Sequence, residues 1–145
     1  MDQAVASALW DLSVRYATAV DGRDSQALLS VFSDDAELIV RAAPGTDRPD
    51  RTLGIEQIAQ VPLRMDRFER TFHMLGQGAY EVEANHATGT VYCQAHHFSI
   101  DATGGHDFVM YIRYHDHYTF LEDGTWRIKS RDVRVEWTES RRTDG

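Results

Sequence analysis

The sequence predicts an α+β fold in one domain, and three observations carry that prediction. Helical spacing of apolar residues is concentrated in the first half of the chain, while four long runs rich in Tyr, Phe, Val, Thr and Ile, separated by turn-forming clusters, fill the second. A length of 145 residues fits one domain around a single core. A hydrophobic fraction of 42% and an aromatic fraction of 10% supply that core and set the chain apart from a disordered tail.

Each element follows from local signals. Val5, Leu9, Leu12, Tyr16 and Val20 share one helical face; Asp2 or Ser7 can open this helix, and Gly22 closes it. A short second helix fits 25–32, "SQALLSVF", with Asp24 or Ser25 as N-cap and Leu28, Leu29 and Phe32 buried. "DDAELIVRA" at 34–42 reads as a first strand. Residues 43–53 hold two of the three prolines and read as an exposed loop. After Gly54, "IEQIAQVPLRMDRFE" has helical periodicity, and Pro62 predicts a kink or restart within it. Strands near 71–83, 88–101, 106–121 and 125–138 then form an antiparallel meander, its turns at "EANHAT", "DATGGHD" and "LEDGT". The domain is expected over 1–138, with 139–145 as a tail.

Charge and composition exclude several function classes. Fifteen Lys and Arg against 23 Asp and Glu give a formal charge of -8, and the only basic cluster is Arg141-Arg142, so no nucleic-acid footprint is present. Asp2, Asp11 and Arg15 interrupt the first twenty residues, and no stretch approaches about 18 uncharged apolar residues. The expectation is a soluble, cytoplasmic protein with no membrane partner. The one cysteine, Cys93, excludes an intrachain disulfide framework and a Cys-rich zinc site, and its place in "TVYCQAH" reads as a buried structural thiol.

Seven histidines raise the question of a metal. Neighbours in a strand point to opposite faces, so His96 and His97 cannot share an ion; His115 and His117 can, yet no third ligand has metal spacing. Those two read as a solvated strand face. Neither a phosphate-binding glycine loop nor a Gly-x-Ser-x-Gly elbow occurs, which leaves acid–base chemistry by carboxylate and imidazole in an apolar pocket.

Two positions stand out for that chemistry. Asp21 lies in the last turn of the first helix, facing the negative end of the helix dipole, where Lys or Arg would be favoured. In the last strand, Trp126 and Ile128 share one parity while Val133, Val135 and Trp137 share the other. A bulge between 128 and 133 is therefore expected, with Arg131 turned inward beside Val133. A buried arginine needs an anion, either a carboxylate such as Asp21 or a substrate oxygen.

Taken in order, "Y…VDGRD", "L…F.DDA", "GIEQI", "TFHML", "GTVYCQAHHF", "YIRYHDHYTFLEDGTWRIKSR" and a closing "EW" resemble the SnoaL-like branch of the ketosteroid isomerase and nuclear-transport-factor-two-like superfamily, over about residues 4 to 138. The resemblance implies a cone-shaped, curved antiparallel sheet wrapped around N-terminal helices and enclosing an apolar pocket, as a homodimer or trimer. It is similar to scytalone dehydratase, hexachlorocyclohexane dehydrochlorinase and bile acid 7α-dehydratase, which eliminate a leaving group without metal or organic cofactor.

By that resemblance Asp21 and His73 form the catalytic dyad, with Tyr16, Arg131 and His96 as further polar groups of the pocket; His97 replaces His96 if the alignment shifts by one. Whether Asp21 or His73 is the base stays open. The implied activity is a dehydratase-type lyase or isomerase acting on a hydrophobic polycyclic, steroid-like or polyketide substrate. A polyketide or epoxide-opening cyclase using the same dyad, and a non-catalytic binding or accessory domain, are the alternatives.

Overall fold

The computed structural model describes residues 2–45 and 47–145; Met1 and Thr46, the latter within the loop expected at 43–53, lie outside the described residues. Helix α1 spans Gln3–Asp21 and is capped by Asp2, whose side chain accepts the Ala4 N–H at 2.8 Å. It buries Leu9, Leu12, Ser13, Tyr16, Ala17, Ala19 and Val20.

Gly22 is not the residue that turns the chain. It keeps a right-handed φ of -85°, and Arg23 takes the left-handed conformation with φ 54°. The Asp24 N–H then reaches Ala19 O at 2.8 Å and the Arg23 N–H reaches Val20 O at 3.2 Å, the pairing of a Schellman cap. A side chain in this region costs about 1–2 kcal/mol relative to glycine, so Arg23 is held there by what its guanidinium binds.

The expected second helix is a 3-10 turn, Gln26–Ser30, with Asp24 Oδ1 accepting the Ala27 N–H at 3.1 Å. Leu28 and Phe32 are buried as expected, whereas Leu29 is exposed. Strand β1, Phe32–Arg41, is followed by a strand the sequence reading placed in a loop, β2, Asp50–Leu53, antiparallel to β1. Its composition is polar, and Glu37 and Arg51 form an ion pair across the two strands. Pro62 restarts the helical segment: α2, Ile55–Ile58, ends before it, and α3, Val61–Arg64, carries it in its first turn, where a missing N–H costs nothing.

The four long strands are β3, Arg70–Glu83; β4, His86–Asp101; β5, Gly104–Phe120; and β6, Trp126–Thr143. Residues 139–143, expected in the tail, continue β6 and pair with β5 as far as Gly105↔Thr143. The meander β3-β4-β5-β6 is extended by β1, parallel to β6, and by β2, giving a six-stranded sheet in the order β2-β1-β6-β5-β4-β3. The fold is α+β, a curved open sheet with N-terminal helices.

The expected bulge is at Lys129: the register shifts between His117↔Ser130 and Tyr118↔Ile128. Ile128, Arg131, Val133 and Val135 are consequently all buried on the face that packs against α1. Their neighbours there are Val91, Cys93 and Ala95 of β4 and Ile112, Tyr114 and Tyr118 of β5.

Candidate active site

Where the end of α1 meets the start of β3, Asp21 and His73 are paired, with His73 Nδ1 2.7 Å from Asp21 Oδ1. The register places Thr71 opposite His97 and His73 opposite Ala95, so all four side chains share the inner face. Asp21 accepts two further hydrogen bonds, from the Thr71 hydroxyl to Oδ1 at 2.9 Å and from the His73 backbone N–H to Oδ2 at 2.9 Å. Burial alone would raise the Asp21 carboxyl; the hydrogen bonds from His73 and Thr71 outweigh it and hold the group below its ordinary value.

The helix-dipole cost at Asp21 is met locally. Arg23 Nη1 donates to the carbonyls of Val20 at 3.0 Å and Asp21 at 3.4 Å, supplying positive charge to the last turn. A groove of about 590 Å³ lined by Arg23, Phe68, Arg70 and Phe98 opens onto Asp21 and Thr71.

His97 is the second imidazole of the inner face, its ring 6.2 Å from that of His73 and 4.9 Å from Phe68. Its Nδ1 is 3.0 Å from the Phe108 carbonyl, which accepts only, so Nδ1 carries the proton and Nε2 is left as an acceptor. Desolvation pushes this imidazole below its ordinary value and favours the neutral form.

His96, expected as a pocket residue, faces the other way. It pairs in register with Phe72 on the outer face of the sheet, where its Nδ1 lies 2.7 Å from Asp107 Oδ2. The inward parity of Val91, Cys93 and Ala95 continues to His97, and that apolar alternation is the signal that separates the two histidines.

Arg131 is fully buried and points inward as expected, but its anion is Asp116, not Asp21. Arg131 Nε and Nη2 reach Asp116 Oδ1 and Oδ2 at 2.9 and 2.8 Å, and Nη2 also donates to Ser13 Oγ at 2.7 Å. Tyr118 donates to Asp116 Oδ2 at 2.7 Å. Burial opposes the Arg131 charge, and the Asp116 carboxylate more than offsets it, raising the guanidinium further. Nη1 is buried and has no partner among the described residues.

Tyr16 lies under this guanidinium, its ring centroid 4.6 Å from Arg131 Cζ, with Tyr114 at 4.0 Å. Burial pushes the Tyr16 hydroxyl up to about 12, so it stays a donor throughout the physiological range. Cys93 stands between the two clusters electrostatically, sensing both Arg131 and Asp21, and burial pushes its thiol up to about 11. That disfavours the thiolate a nucleophile requires.

Sequence reasoning missed Thr71, Arg23, Ser13 and Asp116. For Asp116 a signal existed: it shares parity with Ile112, Tyr114 and Tyr118, the apolar face of β5. Among the described residues no three His, Cys, Asp or Glu side chains converge as metal ligands, and no helix is long and apolar enough to cross a membrane.

Fold and site together define a class: an α+β cone-type domain with an Asp–His pair at the mouth of helix α1 and a buried arginine deeper within. The chain belongs to the SnoaL-like domain family, whose model matches residues 6–132. It is similar in structure to a protein of Kribbella flavida (17% identity, TM-score 0.81, 92% of this chain and 91% of that one). It is also similar to a candidate scytalone dehydratase of Novosphingobium aromaticivorans (21%, 0.75, 98% and 88%). A third likeness is to a hexachlorocyclohexane dehydrochlorinase of Novosphingobium barchaimii (20%, 0.76, 95% and 90%). No curated protein matches the sequence.

Proposed function

We propose that the chain is a cofactor-independent lyase or isomerase of the dehydratase type, with His73 as general base and Asp21 as the carboxylate that orients it. The observation that carries this reading is the saturation of Asp21. Three donors converge on its two oxygens, and the group is held ionised below its ordinary value. An anion so occupied is a poor proton acceptor and a good partner for an imidazole that gains charge.

Because the carboxylate only accepts, His73 Nδ1 carries its proton and Nε2 presents a lone pair. In the proposed step a substrate C–H bond breaks, the proton passes to Nε2, and the electron pair moves toward an adjacent carbonyl or expels a leaving group. Delivery of that proton to a departing hydroxyl releases water and returns the dyad to its starting state. Tyr16, the unpartnered Nη1 of Arg131 and His97 are the polar groups that would meet substrate oxygens, the first two as donors. The apolar lining of the inner face supports a hydrophobic polycyclic, steroid-like or polyketide substrate.

Exposed Phe72, Met74 and Trp137 on the outer face support a homo-oligomeric protein. The test is direct: the purified protein is incubated with hexachlorocyclohexane, following chloride release, and with a panel of β-hydroxy ketones, following water loss by mass spectrometry. Turnover that disappears in both Asp21→Asn and His73→Ala supports the reading, and turnover that survives both overturns it.

A further inference from the structure

We propose that Arg23 and Thr71 are positioning residues of the dyad, forming a one-way hydrogen-bond chain that fixes the Asp21 carboxylate in the orientation in which it receives His73 Nδ1. This rests on the reading of Asp21 and His73 as an orienting carboxylate and a base. The chain begins at Arg23 Nη1, which donates to Thr71 Oγ1 at 2.8 Å. Thr71 Oγ1 donates to Asp21 Oδ1 at 2.9 Å, and His73 Nδ1 lies 2.7 Å from that same oxygen.

The direction of every proton follows from the groups themselves. A guanidinium has no acceptor, so the Thr71 oxygen must accept from it, and the single hydroxyl hydrogen is left for Asp21. A carboxylate has no donor, so the remaining hydrogen on that oxygen belongs to His73 Nδ1. Thr71, the middle link, is 7% exposed and so is largely shielded from water, although the groove reaches Asp21.

Arg23 is anchored for this purpose from three sides. Besides Thr71 it donates to Val20 O at 3.0 Å and, through Nη2, to Met65 O at 2.9 Å, with Asp66 3.4 Å from its Nε. The left-handed backbone at Arg23 suits glycine better than arginine, so a turn built for its own sake would not carry this side chain. The same guanidinium thereby ties the end of α1, the segment after α3 and the start of β3 to one point beside the dyad.

The test needs no substrate. The Asp21 carboxyl is titrated by 13C NMR, and the His73 ring by 15N shifts, in the wild type, Thr71→Val, Thr71→Ser and Arg23→Gly. Valine keeps the shape of threonine without its hydroxyl, and glycine suits the left-handed turn, so neither change is aimed at the fold. The expected result is an upward move of the Asp21 midpoint in Thr71→Val and Arg23→Gly, restoration in Thr71→Ser, and a His73 signal that stays the Nδ1–H tautomer throughout, because the carboxylate still accepts from that nitrogen. An Asp21 midpoint unchanged in Thr71→Val, or Thr71→Ser behaving like Thr71→Val, overturns the proposal. Those results leave the role of the dyad itself standing, whereas loss of the dyad's role would be read from turnover in Asp21→Asn and His73→Ala.

Discussion

His96 and His97 are adjacent in the chain and look out on opposite sides of the sheet: His97 faces His73 across 6.2 Å, and His96 is bound to Asp107 on the far surface. The two are therefore expected to separate cleanly in function. His97→Ala, which removes a proton acceptor beside the dyad, should lower kcat by roughly 100-fold, and His96→Ala should leave it within about twofold. Steady-state kinetics on any substrate identified by the turnover screen checks this, and equal losses in the two variants would contradict the assignment of faces.

Breaking the Asp116–Arg131 pair from one side should cost much of the folding stability. Both side chains are fully buried, and removing one charge leaves the other without a partner. Asp116→Ala is expected to destabilise the fold by about 3–5 kcal/mol. Replacing both, as Asp116→Leu with Arg131→Met, should recover much of that loss because the uncompensated charge is gone. Urea unfolding of the wild type and the two variants measures the difference.

Acid stability should reflect Asp21 and His97 in different windows. Asp21 titrates below its unfolded value, so its contribution is fully present above about pH 4 and is lost as the pH falls through its lower folded value. His97 is also depressed, so the unfolded chain binds its proton first and stability declines as the pH falls below about 6.5. His97→Gln should flatten the first decline and Asp21→Asn the second. Thermal unfolding followed from pH 8 to pH 3 distinguishes them.

Cys93 should be inert in the folded protein. It is 5% exposed and its thiol is pushed up to about 11. Labelling with a thiol-reactive disulfide at pH 8 is expected to proceed only as fast as the protein opens, and to become immediate in urea. Rapid labelling of the native protein would show that the interior is accessible from that side.

Much of the architecture could be read from the sequence because it rests on local alternation. The meander, the restart at Pro62 and the bulge before Arg131 all follow from parity and punctuation within one segment. The parallel pairing of β1 with β6 joins segments about ninety residues apart, as in Val40↔Val133, and no local pattern encodes it. Strand β2 escaped because it is four residues long, three of them polar and none buried, and is held by pairing rather than by burial. Within the site, Asp21 and His73 were found through motif resemblance, while Thr71 and Arg23 lay unread inside those motifs because their role depends on a contact across 48 residues. The anion of Arg131 stays open in the sequence, between a carboxylate such as Asp21 and a substrate oxygen, for the same reason: Asp116 shares its strand with histidines and tyrosines, and only the cross-strand register Asp116↔Arg131 shows the partnership.

The bulge at Lys129 makes strand length a determinant of interior chemistry. One residue more or fewer between Ile128 and Arg131 would exchange the two sides of everything downstream, turning the guanidinium to solvent and bringing Asp132 and Arg134 toward α1. In this domain a deletion of a single surface lysine would thus act as a substitution of several buried residues at once, and the identity of the charge in the interior is set by counting along the chain as much as by the side chain encoded.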